Sequence, residues 1–417
     1  MRKALSITLP LSLALAFSAA HAQTVRLPDV DCAKNSSHER CTLNRNGAQA
    51  SGSVGEGNFG LYFGGFTDEV TSGFVDPSRN LAFLPLETLG QMDGFGGVIS
   101  VDLATGNRAL ISGRLDDSMP MRGKGAEYIN YRGEPSTEWG LGRVRTVRPG
   151  LRPGTVLALQ HYGSETRTVI MEIDIATGNR TIVWANNLAA DSSHSSNPNT
   201  IQNQEARLGI SASTICGRIG VEPTSFEVYK GALFVFSKGN TYKVQPGVSC
   251  NAISLYDATN GTSQAGSGDT PRMSVMTGSW LTGSEVTFTS GPGATKLLAT
   301  NLDTGARRIV TAFDVQQPNR GPGKGTGNVG YLGTHVSTKD FFITTGYTAE
   351  TTMYYTRIDR QTGDRKVMEG KGSLARGNSS KMHIVASIPG TNKVLVFWEK
   401  ALHVMDAETG YAFVLSQ

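Results

Sequence analysis

One short phrase appears six times along the chain and constrains its fold more than any other feature. Its fullest form, Val-Asp-Leu-Ala-Thr-Gly-Asn-Arg, occupies residues 101–108. An apolar run leads into this phrase and an alternating run leaves it, as expected for two β-strands joined by a turn. The full and looser copies lie at residues 101–108, 173–180, 256–261, 300–307, 358–365 and 405–410. The chain is therefore a series of similar units.

The residue types in the phrase predict a β-hairpin. An aspartate such as Asp102 can accept backbone N–H bonds from the turn that follows it. Glycine then supplies the positive φ that closes a short hairpin, and we expect it at Gly106, Gly178, Gly305 and Gly363. Because this turn chemistry accounts for the recurring Asp and Thr, we interpret them as structural and not as metal ligands or catalytic acids.

A second strand–turn–strand pattern precedes each phrase, for example at residues 74–84 and 147–159. Each unit thus contains four antiparallel strands, and such units repeated along a chain are the blades of a β-propeller. The predicted fold class is all-β, with a single β-propeller over residues 59–417. Six four-stranded blades are visible, with seven as the alternative. We expect a strand near residues 59–63 to close the ring.

The Asp-x-x-Thr-Gly turn between outer strands resembles the repeats of quinoprotein-like and related bacterial β-propellers. This resemblance covers most of the chain and implies a fold, not a function. Quinone-dependent members of that superfamily often carry adjacent cysteines and a tryptophan after each Thr-Gly. In this sequence no two cysteines are adjacent, and only Trp184 follows a repeat turn closely. No cofactor is firmly implied, and a divalent metal ion is the one candidate.

Arginine recurs two residues after the turn glycine in four of the phrases. We expect these side chains to lie along the outer strands and to bond to neighbouring blades or loops. The recurring residues are Arg108, Arg180, Arg307 and Arg365.

The beginning of the chain has the pattern of a secretory signal peptide over residues 1–22. Arg2 and Lys3 precede a mostly apolar stretch, and Ala20-His21-Ala22 forms a small-residue cleavage site. The apolar part is too short to span a membrane. Residues 23–58 are predicted to be an irregular N-terminal arm, and the expected location is periplasmic or secreted.

Four cysteines after a signal peptide suggest disulfides, for which three pairings are conceivable. We favour Cys32–Cys41 and Cys216–Cys250, because each bond closes a local loop; one or more free thiols is the alternative. Lys and Arg number 39 against 35 Asp and Glu. This near balance argues against nucleic acid and a charged membrane surface as partners. We expect a monomer.

Insertions between the last strand of one unit and the first strand of the next are predicted to emerge on one face. Long loops on one face of a rigid ring are a usual place for binding. The alternative is that they are spacers. The insertions cover residues 114–139, 185–220, 262–281, 314–330 and 370–380.

Histidines mark the start of two predicted innermost strands, at His335 and His383. Comparable positions in other units fall near Glu69, Arg143 and Glu222. Such residues, converging on the central channel, could bind a divalent metal or act as acid and base. A hydrated polar channel without chemistry is the favoured alternative.

Two functions follow. The favoured one is an exported binding or scaffold protein that recognises a protein, peptide or glycan through its loop-rich face. The other is a propeller lyase or hydrolase acting on a polysaccharide-like substrate at the channel mouth, assisted by a metal at His335 and His383.

Overall fold

The computed structural model describes most of the strand-forming sequence and leaves gaps between the strands. The described residues are 24–42, 54–57, 72–87, 96–114, 119–125, 128–129, 135–136, 141, 143–162, 167–185, 223–237, 240–245, 249–257, 276–290, 296–312, 323–326, 335–347, 353–374, 382–398 and 401–417. Within them one short helix, α1 (Glu39–Thr42), accompanies 27 strands. Among these residues no helix has the length and apolar character that crossing a membrane requires.

The strands form five sheets of four strands, one of five and one of two. The first sheet contains β1 (Phe74–Asp76), β2 (Leu81–Glu87), β3 (Gly96–Asp102) and β4 (Arg108–Arg114). A small separate pair contains β5 (Tyr128–Ile129) and β6 (Pro135–Ser136). The second sheet contains β7 (Arg143–Pro149), β8 (Thr155–Tyr162), β9 (Arg167–Asp174) and β10 (Arg180–Ala185). The third contains β11 (Pro223–Tyr229), β12 (Ala232–Ser237), β13 (Asn240–Gln245) and β14 (Ser249–Asp257). The fourth contains β15 (Met276–Thr282), β16 (Glu285–Ser290), β17 (Lys296–Asn301) and β18 (Arg307–Ala312). The fifth contains β19 (His335–Ser337), β20 (Phe341–Tyr347), β21 (Met353–Asp359) and β22 (Arg365–Met368). The last contains β23 (Lys371–Gly372), β24 (Met382–Ser387), β25 (Lys393–Trp398), β26 (Ala401–Asp406) and β27 (Tyr411–Ser416).

The first antiparallel strand of each sheet faces a common centre. These innermost strands, β1, β7, β11, β15, β19 and β24, contact one another in chain order, and β1 also contacts β24. The backbone joins them directly near Ser72 and Gly73: Val147 N donates to Ser72 O at 2.8 Å, and Gly73 N donates to Val385 O at 2.7 Å. The all-β propeller of small antiparallel sheets that the repeats predict is therefore present.

The last sheet departs from the predicted four-stranded blade. Its four antiparallel strands, β24 to β27, are consecutive, and β23 adds a fifth by pairing in parallel with β27. The prediction of six four-stranded blades thus corresponds to five sheets of four strands and one of five. The predicted closing strand at residues 59–63 lies outside the described residues. Within the described residues, the ring closes through contacts between the first sheet and the last sheet, each of which is built from its own strands.

The repeated phrases form the predicted turns. Asp102 Oδ1 accepts hydrogen bonds from Thr105 N at 2.8 Å and from Thr105 Oγ1 at 2.9 Å. Gly106 has φ +83°, and its N–H donates to Asp102 O at 2.8 Å. The prediction of positive φ is confirmed for all four named glycines and extends to the glycine of the last phrase. These are Gly106, Gly178, Gly305, Gly363 and Gly410.

Arginines that follow the turn glycines join three of the sheets to the sheet before them. Nη1 of Arg180 donates to Ser112 Oγ at 3.0 Å, and Nη1 of Arg365 donates to Thr311 Oγ1 at 2.6 Å. At the ring closure, Nη1 of Arg108 donates to Ser416 Oγ at 2.8 Å. We call Arg108, Arg180 and Arg365 the inter-sheet arginines. The expectation that they bond to neighbouring blades is confirmed for these three.

Short Gly-x-Gly segments run beside the outermost strands of the sheets that follow them. The segment at 123–125 meets the second sheet, where Gly125 pairs in parallel with Arg180. A Cβ on Gly123 would lie 1.9 Å from Gly178 O, so the close approach requires glycine. The equivalent segments are 55–57, 323–325 and 370–372. The described Gly-x-Gly segments of three insertions thus lie along outer strands, whereas residues 276–281 of the insertion predicted at 262–281 belong to β15. The predicted loop-rich face itself lies largely outside the described residues.

The arm covers the junction between the first and last sheets. The predicted Cys32–Cys41 disulfide is present, and both cysteines share an apolar cluster with Leu84 of the first sheet and Leu395 of the last. Helix α1 contacts β27.

The other predicted disulfide reaches beyond the described residues. Cys216 lies outside them, so the Cys216–Cys250 pairing stays a prediction that non-reducing peptide mapping can test. The predicted signal peptide at residues 1–22 also lies outside them.

Candidate functional site

A cavity of about 420 Å³ opens at the end of the channel where the innermost strands finish. We call it the central cavity. Its lining comes from the last residues of these strands and from the turns that follow them, with one contribution from a repeated phrase. The lining includes Phe74, Val75, Arg148, Glu227, Val228, Trp280, Leu281, Lys339, Arg360, Ile388 and Pro389.

A buried ion pair lies across the channel at the inner end of the cavity. Arg148 Nε and Nη2 donate to the two carboxylate oxygens of Glu227 at 2.9 and 2.8 Å. Ser279 Oγ donates to Glu227 Oε1 at 3.0 Å. Both charged side chains are 5% exposed, so the pair is shielded from solvent screening.

The guanidinium of Arg148 also bonds to backbone carbonyls. Nη2 donates to Ser279 O at 3.0 Å, and Nη1 donates to Val147 O at 2.9 Å and Gly73 O at 3.4 Å. The five N–H groups of arginine are thereby all engaged. Since the partners include residues of the first, third and fourth sheets, Arg148 fastens four sheets of the ring together.

The environment of Glu227 acts on its charge in opposite directions. Burial raises the pKa of the Glu227 carboxyl, while Arg148 and the Ser279 hydroxyl counteract that rise by stabilising the carboxylate. The net direction is upward because removal from water is the largest effect.

Trp280 supplies an aromatic wall. The guanidinium of Arg148 lies 5.4 Å from the centroid of the Trp280 ring, within the range of a cation–π contact. The ring is half-buried and belongs to the cavity lining. A ligand in the cavity would therefore contact an aromatic ring that Arg148 holds in position.

Two further cations lie at the side of the cavity formed by the fifth sheet. Nη1 of Arg360 donates to Thr338 O and Lys339 O, both at 3.0 Å, and the guanidinium lies 5.6 Å from the Phe342 ring centroid. Nε and Nη2 of Arg360, and Nζ of Lys339, form no hydrogen bond within the described residues. Since Arg148 and Glu227 neutralise each other, the cavity carries an excess of positive charge at Lys339 and Arg360.

His335, the first residue of β19, is buried beside the channel. Its Nε2 lies 2.8 Å from Thr287 Oγ1, and that hydroxyl donates to Trp280 O at 3.2 Å. The single hydroxyl proton is thus engaged, so Nε2 carries the imidazole proton and Nδ1 is an acceptor with no partner in the described part of the chain. Burial lowers the pKa of His335 to about 3, and Arg148 contributes in the same direction.

His383, the second residue of β24, is also buried, and burial lowers its pKa to about 4. Both histidines lie toward the opposite end of the strands from the central cavity and are not part of its lining. Among the described residues, no group of three or more His, Cys, Asp and Glu side chains could hold a metal. The metal role of His335 and His383 stays a prediction.

The other predicted channel residues lie wholly or by their side chains outside the described part of the structure. Arg143 is the first residue of β7, and its side chain lies outside the described part. Glu69 and Glu222 also lie outside it. Arg148 and Glu227 were not predicted from the sequence. Arg148 is one of three arginines in β7, and Glu227 lies among polar and apolar residues in β11, so neither residue stands out in its strand.

Comparisons with known proteins extend no further than the fold. No protein-family model matches the sequence, and no curated protein matches it. Among solved structures, the chain is similar to the β-propeller domain of the Trilobed protease from Pyrococcus furiosus, with 10% identity, coverage of 86% of this chain and 97% of that one, and a TM-score of 0.39. It is also similar to TolB from Acinetobacter baumannii, with 11% identity, coverage of 73% and 55%, and a TM-score of 0.37. A chain of the nidogen/laminin complex has 9% identity, coverage of 73% and 80%, and a TM-score of 0.38.

Proposed function

We propose that this chain is an exported β-propeller that binds a peptide segment of a partner in its central cavity and does not transform it. The observation that carries the proposal is the cavity itself. It has a fixed floor, an aromatic wall and unneutralised cations on one side. Such a combination of apolar surface with a few oriented polar groups is typical of binding sites.

The hydrogen bonds at the floor support binding over catalysis. The Glu227 carboxylate accepts three hydrogen bonds, and every N–H of Arg148 is engaged. A general acid or base must exchange a proton with a ligand, and these two groups would have to break several buried bonds to do so. They are suited to holding the ring and the cavity wall in position.

The remaining lining favours a peptide over a glycan. Phe74, Val75, Val228, Leu281 and Ile388 surround the cavity with apolar side chains. Peptide side chains can bury apolar area against such walls, at roughly 25 cal/mol per Å². A glycan would need a hydrogen-bond partner for most of its hydroxyl groups, because buried polar groups without partners are costly.

Two further parts of the proposal concern the ring and its location. We propose that the six main sheets form one ring of six blades, a proposal supported by the contact between β1 and β24. Export is supported by the signal-like sequence at residues 1–22 and is compatible with the Cys32–Cys41 disulfide. We propose that the protein works as a monomer.

Selection of peptides from a random library displayed with free C-termini, against the purified protein, tests the function. The exposed Pro389 lines the cavity, so Pro389→Trp should block its mouth and abolish binding of the selected peptides. Pro153→Trp places the same side chain on an exposed turn residue outside the lining and is the matched control. Equal binding of the selected peptides to the wild type and to Pro389→Trp would show that they bind outside the central cavity. Failure to select any peptide would contradict the function.

A further inference from the structure

The central cavity is lined by Arg360, whose guanidinium bonds through one nitrogen only to the part of the chain that the structure describes. Arg360 has five N–H groups, and its Nη1 is bound to Thr338 O and Lys339 O. The edge formed by Nε and Nη2 has no partner within the described residues. A guanidinium pairs with a carboxylate through two parallel N–H bonds from such an edge.

The same protein shows what that edge does when a carboxylate is present. Arg148 uses Nε and Nη2 for the two oxygens of Glu227, while its Nη1 bonds to backbone carbonyls. Arg360 likewise bonds to backbone carbonyls through Nη1, but no carboxylate of the described residues bonds to its Nε and Nη2. Its Nη1 is fixed on two carbonyls, and its plane lies near the Phe342 ring. The side chain is therefore oriented before a ligand arrives, which reduces the entropy lost on binding.

Lys339 adds a second positive charge at the same place. The backbone carbonyl of Lys339 accepts a hydrogen bond from Nη1 of Arg360, so the two residues are in direct contact at the fifth sheet. The Lys339 side chain is exposed and also lines the cavity. An ammonium group can approach a carboxylate from several directions, because its three N–H donors rotate freely.

The surface next to these cations is apolar. Leu281, Ile388 and Pro389 line the cavity together with the aromatic wall of Trp280. A matching ligand therefore carries a carboxylate attached directly to an apolar group. The last residue of a peptide has this chemistry when its side chain is hydrophobic.

We propose that the central cavity recognises the free C-terminal carboxylate of a partner that ends in a hydrophobic residue. Arg360 binds the carboxylate bidentately, Lys339 adds charge, and the terminal side chain packs against Trp280 and Leu281. This inference rests on the proposed function and names its ligand chemistry. An acidic oligosaccharide or a small free carboxylic acid offers part of the same chemistry, and both enter the test as alternatives.

Fluorescence anisotropy with defined probes tests the inference. The probe is fluorescein-Gly-Ser-Gly-Leu-Phe with a free carboxylate, and its comparison is the same peptide as the C-terminal amide. The free acid should bind at least about ten-fold more tightly, as expected for a bidentate charged pair. Arg360→Gln should remove this preference, and Lys339→Gln should reduce it.

A matched control is available on the same strand region. Arg357 lies 4.5 Å from the Phe341 ring centroid and donates to Glu408 O, but it does not line the cavity. Arg357→Gln should therefore leave the preference for the free acid unchanged. Equal loss in both variants would overturn the assignment to Arg360.

The remaining outcomes separate this inference from the proposed function. Equal binding of acid and amide would overturn carboxylate recognition and leave a peptide-binding cavity. N-acetylphenylalanine binding as tightly as the peptide would overturn the peptide terminus as the source of the carboxylate. Tight binding of trigalacturonate without binding of either peptide would overturn both the inference and the proposed function.

Discussion

Mild acidification should destabilise this protein through two buried histidines. His335 and His383 are 3% and 5% exposed, and burial lowers their pKa values to about 3 and about 4. In the unfolded chain both imidazoles return to a pKa near 6.5. At pH values between the folded and unfolded pKa, the imidazoles are protonated in the unfolded chain and neutral in the folded protein. The free energy of unfolding therefore falls as the pH falls below about 6.5.

The size of this effect follows from the pKa differences. A shift of one pKa unit corresponds to about 1.4 kcal/mol. At pH 5 the unfolded imidazole is almost fully protonated, while both folded imidazoles are still mostly neutral. Lowering the pH from 7 to 5 should therefore cost about 2 kcal/mol for each histidine and about 4 kcal/mol for the two together. That is a large part of the 5–15 kcal/mol typical of folded proteins.

Urea unfolding at pH 7 and pH 5 measures the effect, in wild type and in His335→Gln, His383→Gln and the double variant. Glutamine is neutral at both pH values and keeps an N–H donor for Thr287. Each single variant should lose about 2 kcal/mol less than wild type on acidification, whatever its stability at pH 7. Comparing the change with pH cancels the other ionisable groups. Equal changes in wild type and the double variant, or imidazole titration near pH 6.5 by NMR, would refute the reasoning.

Two further pairs of substitutions test the ring. Gly106 and Gly154 have φ values of +83° and +82°, but a Cβ would lie 2.0 Å from Leu415 O at Gly106 and meet nothing within 4 Å at Gly154. Gly154→Ala should therefore lower the free energy of unfolding, measured in urea, by about 1 kcal/mol because of backbone strain. Gly106→Ala should lower it by about 1–3 kcal/mol more, because its Cβ would also clash with Leu415 O. Equal losses in the two variants would contradict the contact between the first and last sheets. Arg148→Met should cost about 3–5 kcal/mol because it leaves Glu227 buried and unpaired, and adding Glu227→Leu should recover much of this loss. Arg148 counteracts the upward effect of burial on the pKa of Glu227, so its removal should raise that pKa further. Protonation of the carboxyl then makes the Arg148→Met loss smaller at pH 5 than at pH 8, and the same loss at both pH values would exclude an unpaired carboxylate as its cause.

The strands and turns could be predicted because the interactions that form them are local. Asp102, Thr105 and Gly106 lie within one turn, and their chemistry alone requires a hairpin there. The inter-sheet arginines were also predictable in outline, since a charged residue repeated at one position of a repeated unit needs a repeated partner. Which hydroxyl serves as that partner follows only from the packing of neighbouring sheets.

The central cavity could not be predicted, because its residues meet only through ring geometry. Arg148 and Glu227 lie on different sheets, and nothing near either residue in the sequence indicates the other. Lys339 and Arg360 occupy turns, where charged residues are ordinarily solvated and carry no signal. Arg360 even lies inside a repeated phrase, to which we had assigned a turn role alone. For His335, the sequence indicates its strand but not its burial.

The contact between the first and last sheets resembles a contact between two sheets that follow each other in the chain. Arg108 reaches Ser416 across the gap between the two ends of the array in the same way that Arg180 reaches Ser112 between consecutive sheets. Covalent continuity thus adds little to what holds two neighbouring sheets together. A circularly permuted gene that opens the chain between two other sheets should encode the same ring.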